Sequence, residues 1–464
     1  MENADARDNF VSGLYERSVK DEKNYVLNKR VEPKYARMHK DADIHLHDLE
    51  GYRFVYNCYM PALQDILDPE KFVLGNDFGK MMEVFEKIKS LICSLAVCQT
   101  GGIGFANFDI DIADVLEKLC VPFSERNRIV MSDLVTLFLK WVNTTRTRYC
   151  REPYYISLNL GLAMSEWGRF VTKSILKAYF EQPIDFERPN IIFKVKKGVN
   201  ADAVDPNHDL FLQALHCTAH RMVPTYLLLD SGPNRGCDPE KLGIMGCRTR
   251  VYQNSCGPEQ TIGRGNIAYV SINLPRIALQ SSSVDDFMKK LREKVSDCEN
   301  ILMERAGALM KTNKLGFVFE NHLWNEVCNL DDLLMQGTLS VGFIGLSETV
   351  EIQLRLEGKF HALCNGGSIS YVEFNDAPMD NVEALEDLVA YATAQGVSYF
   401  GMNFPLDICG NCGHKGTFDD CPKCGSKKIK RIRRVSGYLE DLDYFTSGKK
   451  REVAKRRANE WKSR

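Results

Sequence analysis

Two pairs of cysteines near the C-terminus carry the clearest chemistry in the chain. Cys409-x2-Cys412 and Cys421-x2-Cys424 stand eight residues apart, and each pair is trailed by glycine (CGNCG and CPKCG). A C-x-x-C turn with a following glycine folds into a knuckle that points two thiolates at one ion. Two such knuckles supply four sulfurs in tetrahedral array, a donor set that suits Zn²⁺. Four protein ligands leave no open position, so the metal is expected to be structural; iron in a rubredoxin-like site or a cluster uses the same spacing.

Beyond this ribbon lies Arg433-Arg434-Val435-Ser436-Gly437-Tyr438-Leu439. A glycine among β-branched and aromatic residues, with no turn partner, reads either as a turn or bulge glycine or as a site of radical storage. Loss of a Cα hydrogen from glycine leaves a radical stabilised by one flanking amide that donates and one that withdraws. Without a Cβ the centre flattens at no steric cost.

Three further positions have chemistry to offer. Cys247 in MGCRT sits behind Ile244-Met245 and beside Gly246, at what reads as the tip of a tight loop; burial is the common fate of such a cysteine. Glu373 in SYVEF is a carboxylate within an apolar strand pattern, costly unless paired, edge-exposed or used in acid–base work. Asn273 in VSINLP ends a strand, where its side chain can cap backbone groups. His45, His47 and Asp48 in IHLHD resemble metal ligands, but are read as structural. Gly263-Arg264-Gly265-Asn266 and Gly366-Gly367-Ser368 match no phosphate-loop or dinucleotide fingerprint and are read as turns.

Elements that position these groups follow from periodicity. Residues 1–40, Gly79–Gln99, His208–Met222 and Asp285–Lys311 have helical spacing. Thr225–Leu229, Ile267–Leu274, Leu339–Leu346 and Ile369–Phe374 are short apolar, β-branched runs that read as buried strands. Strands alternating with helices imply an α/β fold with a largely parallel sheet. The boundary falls near Pro405: residues 1–404 form an α/β body and 405–464 a ribbon with a basic segment.

With 464 residues, 44% hydrophobic and 26% charged, the composition is that of a globular protein. The net charge of −2 hides an asymmetry: residues 425–464 hold 14 Lys/Arg against 5 Asp/Glu, leaving 46 against 57 before them. Such a tail faces phosphates or simply water. The polar start lacks a leader pattern, and no run approaches the ~20 apolar residues that span a bilayer. The expectation is a cytoplasmic protein with reduced thiols, so the sixteen cysteines serve metal binding, chemistry or burial.

RVSGYL after a four-cysteine ribbon resembles the glycyl-radical loop of the anaerobic (class III) ribonucleotide reductases. Other segments are similar in the same order: HKDADIHLHDLEGYRFVYNC (39–58), GGIGFANFDIDIAD (101–114), MGCRT (245–249), GRGNIAYVSINLPRIAL (263–279), LSVGFIGLSETV (339–350) and GYLEDLDYFTSGKKREVAKR (437–456). The resemblance implies a ten-stranded α/β barrel of the glycyl radical enzyme type, two five-stranded halves around a central loop. It also implies reduction of ribonucleoside triphosphates to 2′-deoxyribonucleoside triphosphates. Gly437 would store the radical and Cys247 would form the transient thiyl that takes the 3′ hydrogen of ribose. Cys58 would be the reducing cysteine, Glu373 the acid–base group and Asn273 a ribose or reductant contact.

Further implications concern partners. A radical-SAM activase with a 4Fe–4S cluster and S-adenosylmethionine would install the radical, and dNTP effectors would act at a homodimer contact. YVEF is similar to the members reduced by a redoxin rather than by formate, with Cys364 or Cys256 as the second cysteine of the pair. The regulatory ATP-cone of the family has no room before residue 39. Two rivals remain at this level: another glycyl radical enzyme, for which a zinc ribbon is unusual, and a zinc-ribbon nucleic-acid-binding protein. No nucleic acid and no membrane are expected as partners.

Overall fold

The computed structural model describes residues 10–52, 55–97, 99–146, 153–181, 187–254, 257–312, 332, 337–344, 350–364, 366–379, 381–435, 437–456 and 458. Its body is built on ten strands: β1 (Ile44–Leu46), β2 (Cys58–Met60), β3 (Ile103–Phe105), β4 (Ile156–Leu160), β5 (Asn190–Val195), β6 (Thr225–Leu228), β7 (Arg264–Asn273), β8 (Gly337–Ile344), β9 (Ser370–Glu373) and β10 (Tyr399–Asn403). Strands β2 to β6 run parallel, each hydrogen-bonded to the next. β7 is antiparallel to β2, and β10 is antiparallel to β6. β7 pairs parallel with β8, and β10 with β9. A five-stranded parallel set is therefore flanked through antiparallel seams by two parallel pairs, β7–β8 on one side and β10–β9 on the other, while β1 adds to the far stretch of β7.

Every residue of β4, β5 and β6 is buried. This is what parallel strands covered on both faces require, and it explains their apolar, β-branched composition. The helices cover the outer face. Asp77–Ala96 starts at Asn76, whose side chain accepts from the Gly79 N–H at 2.8 Å, an N-cap worth ~1 kcal/mol. It buries Met81, Val84, Phe85, Ile88, Leu91 and Leu95 at helical spacing, each contributing ~1.5–3 kcal/mol through lost water contact. Glu125–Thr144 begins the same way on Ser124 and packs Phe138 against Phe85 and Phe108.

The observed helices Phe10–Lys29, Pro33–Lys40, His208–Arg221 and Val284–Thr312 fall where periodicity put helices. One reading is overturned. Of Gly263-Arg264-Gly265-Asn266, taken as a turn, only Gly263 turns, at φ +74°; Arg264, Gly265 and Asn266 open β7 and pair with Met60, Tyr59 and Cys58. The Arg264 guanidinium is buried and donates to the carbonyls of Val251, Tyr252, Gln253 and Gln260, each at 3.1 Å.

After β10 the chain passes Pro405 into a separate four-stranded sheet: β11 (Leu406–Cys409), β12 (Lys415–Gly416), β13 (Ile429–Arg434) and β14 (Leu439–Asp441), in the order β12-β11-β13-β14. Gly437 lies between β13 and β14, on the loop this small sheet returns to the body. Arg188, 1% exposed, ion-pairs with Glu440 just past that loop, and Lys430 with Glu187 at 2.9 Å. The basic tail is thus partly consumed inside the molecule. Among the described residues no helix is long and apolar enough to cross a membrane.

Candidate active site

The segment from Leu242 to Val251 forms a finger that lies against β2, β3 and β4. Met245 and Thr249 exchange backbone hydrogen bonds at 3.0 and 3.1 Å, so Gly246-Cys247-Arg248 is its tip. Polar side chains on the strands hold it. Asn159 of β4 donates to the Ile244 carbonyl and accepts from the Ile244 N–H, at 2.9 and 2.8 Å. Ser157 donates to the Gly246 carbonyl at 2.7 Å, and the Arg250 N–H donates to the Gly366 carbonyl at 3.0 Å. Each buried amide is matched because an unpaired one would cost ~1–3 kcal/mol.

The finger fits because β3 offers little bulk. A Cβ at Gly102 would stand 2.4 Å from the Gly246 Cα, and one at Gly104 2.7 Å from the Met245 Cβ. Neither distance is sustainable.

Gly437 meets this tip from the other side. Its φ is +91°, a region that L side chains rarely adopt, and a Cβ there would stand 2.1 Å from the Cys247 Cβ and 2.9 Å from its Cα. Position and backbone conformation both demand glycine. The following residue, Tyr438, is buried with its ring 4.8 Å from that of Tyr155. The preceding Arg434 is 3% exposed; it donates to Asn403 Oδ1 at 3.2 Å and to the Met222 carbonyl, and lies 5.5 Å over the Tyr371 ring. Both stems of the loop are anchored in the body.

Cys58 completes the group. It is buried on β2, accepts from the Gly102 N–H at 3.2 Å and donates to Asn57 Oδ1 at 3.0 Å. A Cβ at Gly246 would come 3.1 Å from its sulfur. Burial pushes the thiol up to about 12, so at neutral pH it is S–H, the form that gives a hydrogen atom. Arg248 lies 3.5 Å from the Cys247 sulfur, and its other nitrogen bonds the Tyr269 hydroxyl.

Glu373 lies on the same face of β9 as Tyr371. Its Oε1 accepts from Asn403 and from Arg456, both at 2.9 Å. Asn273 is placed elsewhere. Its Oδ1 accepts from the Arg276 N–H at 3.2 Å and its amide donates to the Ala42 carbonyl at 3.0 Å, as the N-cap of Leu274–Leu279. Asn266, which the sequence offered only as part of a turn, faces Cys58 across the β2–β7 pair. It is 1% exposed and donates to Thr338 Oγ1 at 3.2 Å and to Ser340 Oγ. Its Oδ1 meets no donor among the described residues. An asparagine in a strand pattern next to glycines was the available signal, and the turn reading obscured it.

In the ribbon the four sulfurs lie within 4.8 Å of one another, with Cys409–Cys424 and Cys412–Cys421 at 3.5 Å. A tetrahedral Zn²⁺ with ~2.3 Å Zn–S bonds sets its sulfurs about 3.8 Å apart, so the donors fit. No other group of three or more ligating side chains converges among the described residues. His47 bonds Ser271 Oγ at 2.8 Å and packs on Tyr269, and His45 packs between His39 and His47. Cys256 lies outside the described residues.

The profile of the family described as Anaerobic ribonucleoside-triphosphate reductase matches residues 2–355 and 352–458. The relative of that name from Haemophilus influenzae is 25% identical over 94% of this chain and 80% of its own length. The one from Enterobacteria phage T4 is 25% identical over 90% of each. The solved anaerobic ribonucleotide reductase from Thermotoga maritima in complex with dATP and CTP has the same fold, with a TM-score of 0.67 at 15% identity over 96% of this chain and 92% of that one. A match that runs along nearly the whole chain, on a sheet of the same kind, makes this chain a member of the anaerobic ribonucleoside-triphosphate reductase family.

Proposed function

We propose that this chain carries the radical chemistry of its family on Gly437, Cys247, Cys58 and Glu373. Members of the class reduce ribonucleoside triphosphates to 2′-deoxyribonucleoside triphosphates, and the chain is an oxidoreductase of that kind. The observation that carries the residue-level reading is the contact of a glycine Cα with the tip of a buried cysteine finger, beside a second buried thiol.

The steps assign one task to each group. A Cα radical at Gly437 takes the hydrogen of the Cys247 thiol, and the thiyl then takes the 3′ hydrogen of ribose. Glu373 takes the proton of the 3′-hydroxyl and a proton passes to the 2′-hydroxyl, which leaves as water; this is general acid–base work. Cys58 gives a hydrogen atom to C2′, its sulfur then bonds to that of the second cysteine, and the electron and proton freed by this disulfide reduce the 3′-ketone to a C3′ radical. Cys247 then gives back the 3′ hydrogen, and Gly437 regains the spin. Asn266 faces the same space as Cys58 and offers its Oδ1 to a ribose hydroxyl. Asn273 keeps its capping role.

Cys58 with Cys364 or Cys256 would form the disulfide that a redoxin reduces. A radical-SAM activase with a 4Fe–4S cluster would install the radical, dNTP effectors would tune it, and the working unit would be a homodimer. Cys409, Cys412, Cys421 and Cys424 would hold Zn²⁺, which has no role in the redox steps and fixes the sheet from which the glycine loop projects.

The test is anaerobic activation with such an activase. An EPR doublet that disappears in air, with a new fragment ending near Ser436, is the expected result. Turnover without any organic radical would overturn the assignment. Turnover with formate alone would overturn the redoxin.

A further inference from the structure

Arg456 follows the last helix, Ser447–Lys455, and has no part in the steps above. Its side chain is 26% exposed and reaches back into the body. Nη1 donates to Glu373 Oε1 at 2.9 Å and to the Arg434 carbonyl at 2.6 Å. Nη2 donates to Glu452 at 2.8 Å and makes a longer contact of 3.5 Å with the Val435 carbonyl. The circuit closes on itself. Asn403 donates to the same Glu373 oxygen at 2.9 Å, and its Oδ1 accepts at 3.2 Å from Arg434. Arg434 is the residue whose carbonyl Arg456 holds.

We propose that Arg456 is a positioning residue that indexes the glycine loop to the carboxylate, so that Glu373 is set for its task only when the loop is docked. This rests on the roles given above to Gly437, Cys247 and Glu373. A planar guanidinium presents its donors in a fixed fork. One group that spans two segments therefore fixes their relative placement more tightly than two independent contacts. Arg434 and Val435 lead directly into the glycine, and Glu373 sits on β9 of the ten-stranded sheet, whereas β13 and β14 belong to the separate four-stranded one. A loop withdrawn for activation takes the two carbonyls from the fork, and the carboxylate loses its alignment. A ribose bound at that moment meets a misplaced base.

A plain brace for the last helix is already supplied by the pair between Arg456 and Glu452, four residues apart. That pair stands near solvent and is worth little, so removing it separates the two roles.

The experiment activates the full chain and the variants Arg456→Gln, Arg456→Lys and Glu452→Gln with the radical-SAM partner. It then measures spins per chain by EPR alongside kcat and KM for a ribonucleoside triphosphate. Arg456→Gln is expected to keep its spins and its KM within about twofold while kcat falls on the order of tenfold to a hundredfold, the cost of a misplaced group. Arg456→Lys restores part of kcat, and Glu452→Gln behaves as wild type. A kcat for Arg456→Gln within about twofold of wild type, or a fall matched by an equal loss of spins, overturns the proposal. If Arg456→Gln does not fold, Arg456→Lys decides, because full kcat without the fork also overturns it. A wild-type chain that gives no spins strikes the radical reading itself and is told apart on that ground.

Discussion

Cys58 and Asn266 face each other across the antiparallel seam between β2 and β7, both buried. Asn273, seven residues further along the same strand, has its amide committed to the start of a helix. The two asparagines therefore separate by experiment. Asn266→Ala is expected to lower kcat/KM on the order of tenfold or more, as loss of a polar contact to a reacting sugar does. Asn273→Ala is expected to leave kcat/KM nearly unchanged and cost ~1 kcal/mol of stability, the value of an N-cap. Steady-state kinetics and denaturant melts on both variants check the pair of outcomes, and a reversed pattern returns the role to Asn273.

Gly437→Ala introduces a methyl at 2.1 Å from the Cys247 Cβ and holds an L residue at φ +91°. The loop must shift. The expected result is no EPR doublet and no deoxynucleotide product, with a stability loss of ~1–3 kcal/mol from the backbone conformation. Circular dichroism should show the body intact. Wild-type product formation in this variant would exclude Gly437 as the store of the radical.

The ribbon sheet carries the glycine loop directly, since β13 leads into it and β14 leads out. Removing Zn²⁺ with a strong chelator should release one ion per chain and four titratable thiols. It should abolish activation by the activase and leave the far-UV spectrum of the body largely unchanged. Metal analysis before and after, with spin counts, measures this. Full spin yield in the stripped protein would show that the loop needs no such support.

His361 makes a pH prediction. Its Nδ1 accepts from the Ser398 N–H at 3.0 Å, its Nε2 lies 3.1 Å from Ser370 Oγ, and burial lowers it to about 4. The folded state holds the imidazole neutral, whereas the unfolded chain takes up a proton near pH 6.5. Its contribution is therefore present above that pH and is lost as pH falls toward 4, by up to about 3 kcal/mol. His361→Gln should flatten this part of the stability profile in melts taken from pH 7 to 4. An unchanged slope would locate the acid sensitivity in other groups.

How much could be read in advance follows physical lines. The four-cysteine cluster was legible because ligand spacing is a local constraint. So were Cys247 and Gly437, through the motifs around them, although their mutual contact was not: they stand 190 positions apart in the chain and only the fold brings them together. The long amphipathic helices showed in their spacing, as Val284–Thr312 does. Strands of three residues such as β1, β2 and β3 are too short for a period to register. Asn266 was hidden because the two glycines before it mimic a turn, and strand pairing is decided by tertiary neighbours. Arg456 was invisible for another reason: its partners are backbone carbonyls and a carboxylate eighty-three residues away.

The bare inner face of β3 has one more consequence. A side chain at Gly102 would collide with the Gly246 main chain, and one at Gly104 with Met245, so these two glycines set how deep the finger can seat. Bulk added at either one would push the whole tip outward, and Cys247 with it.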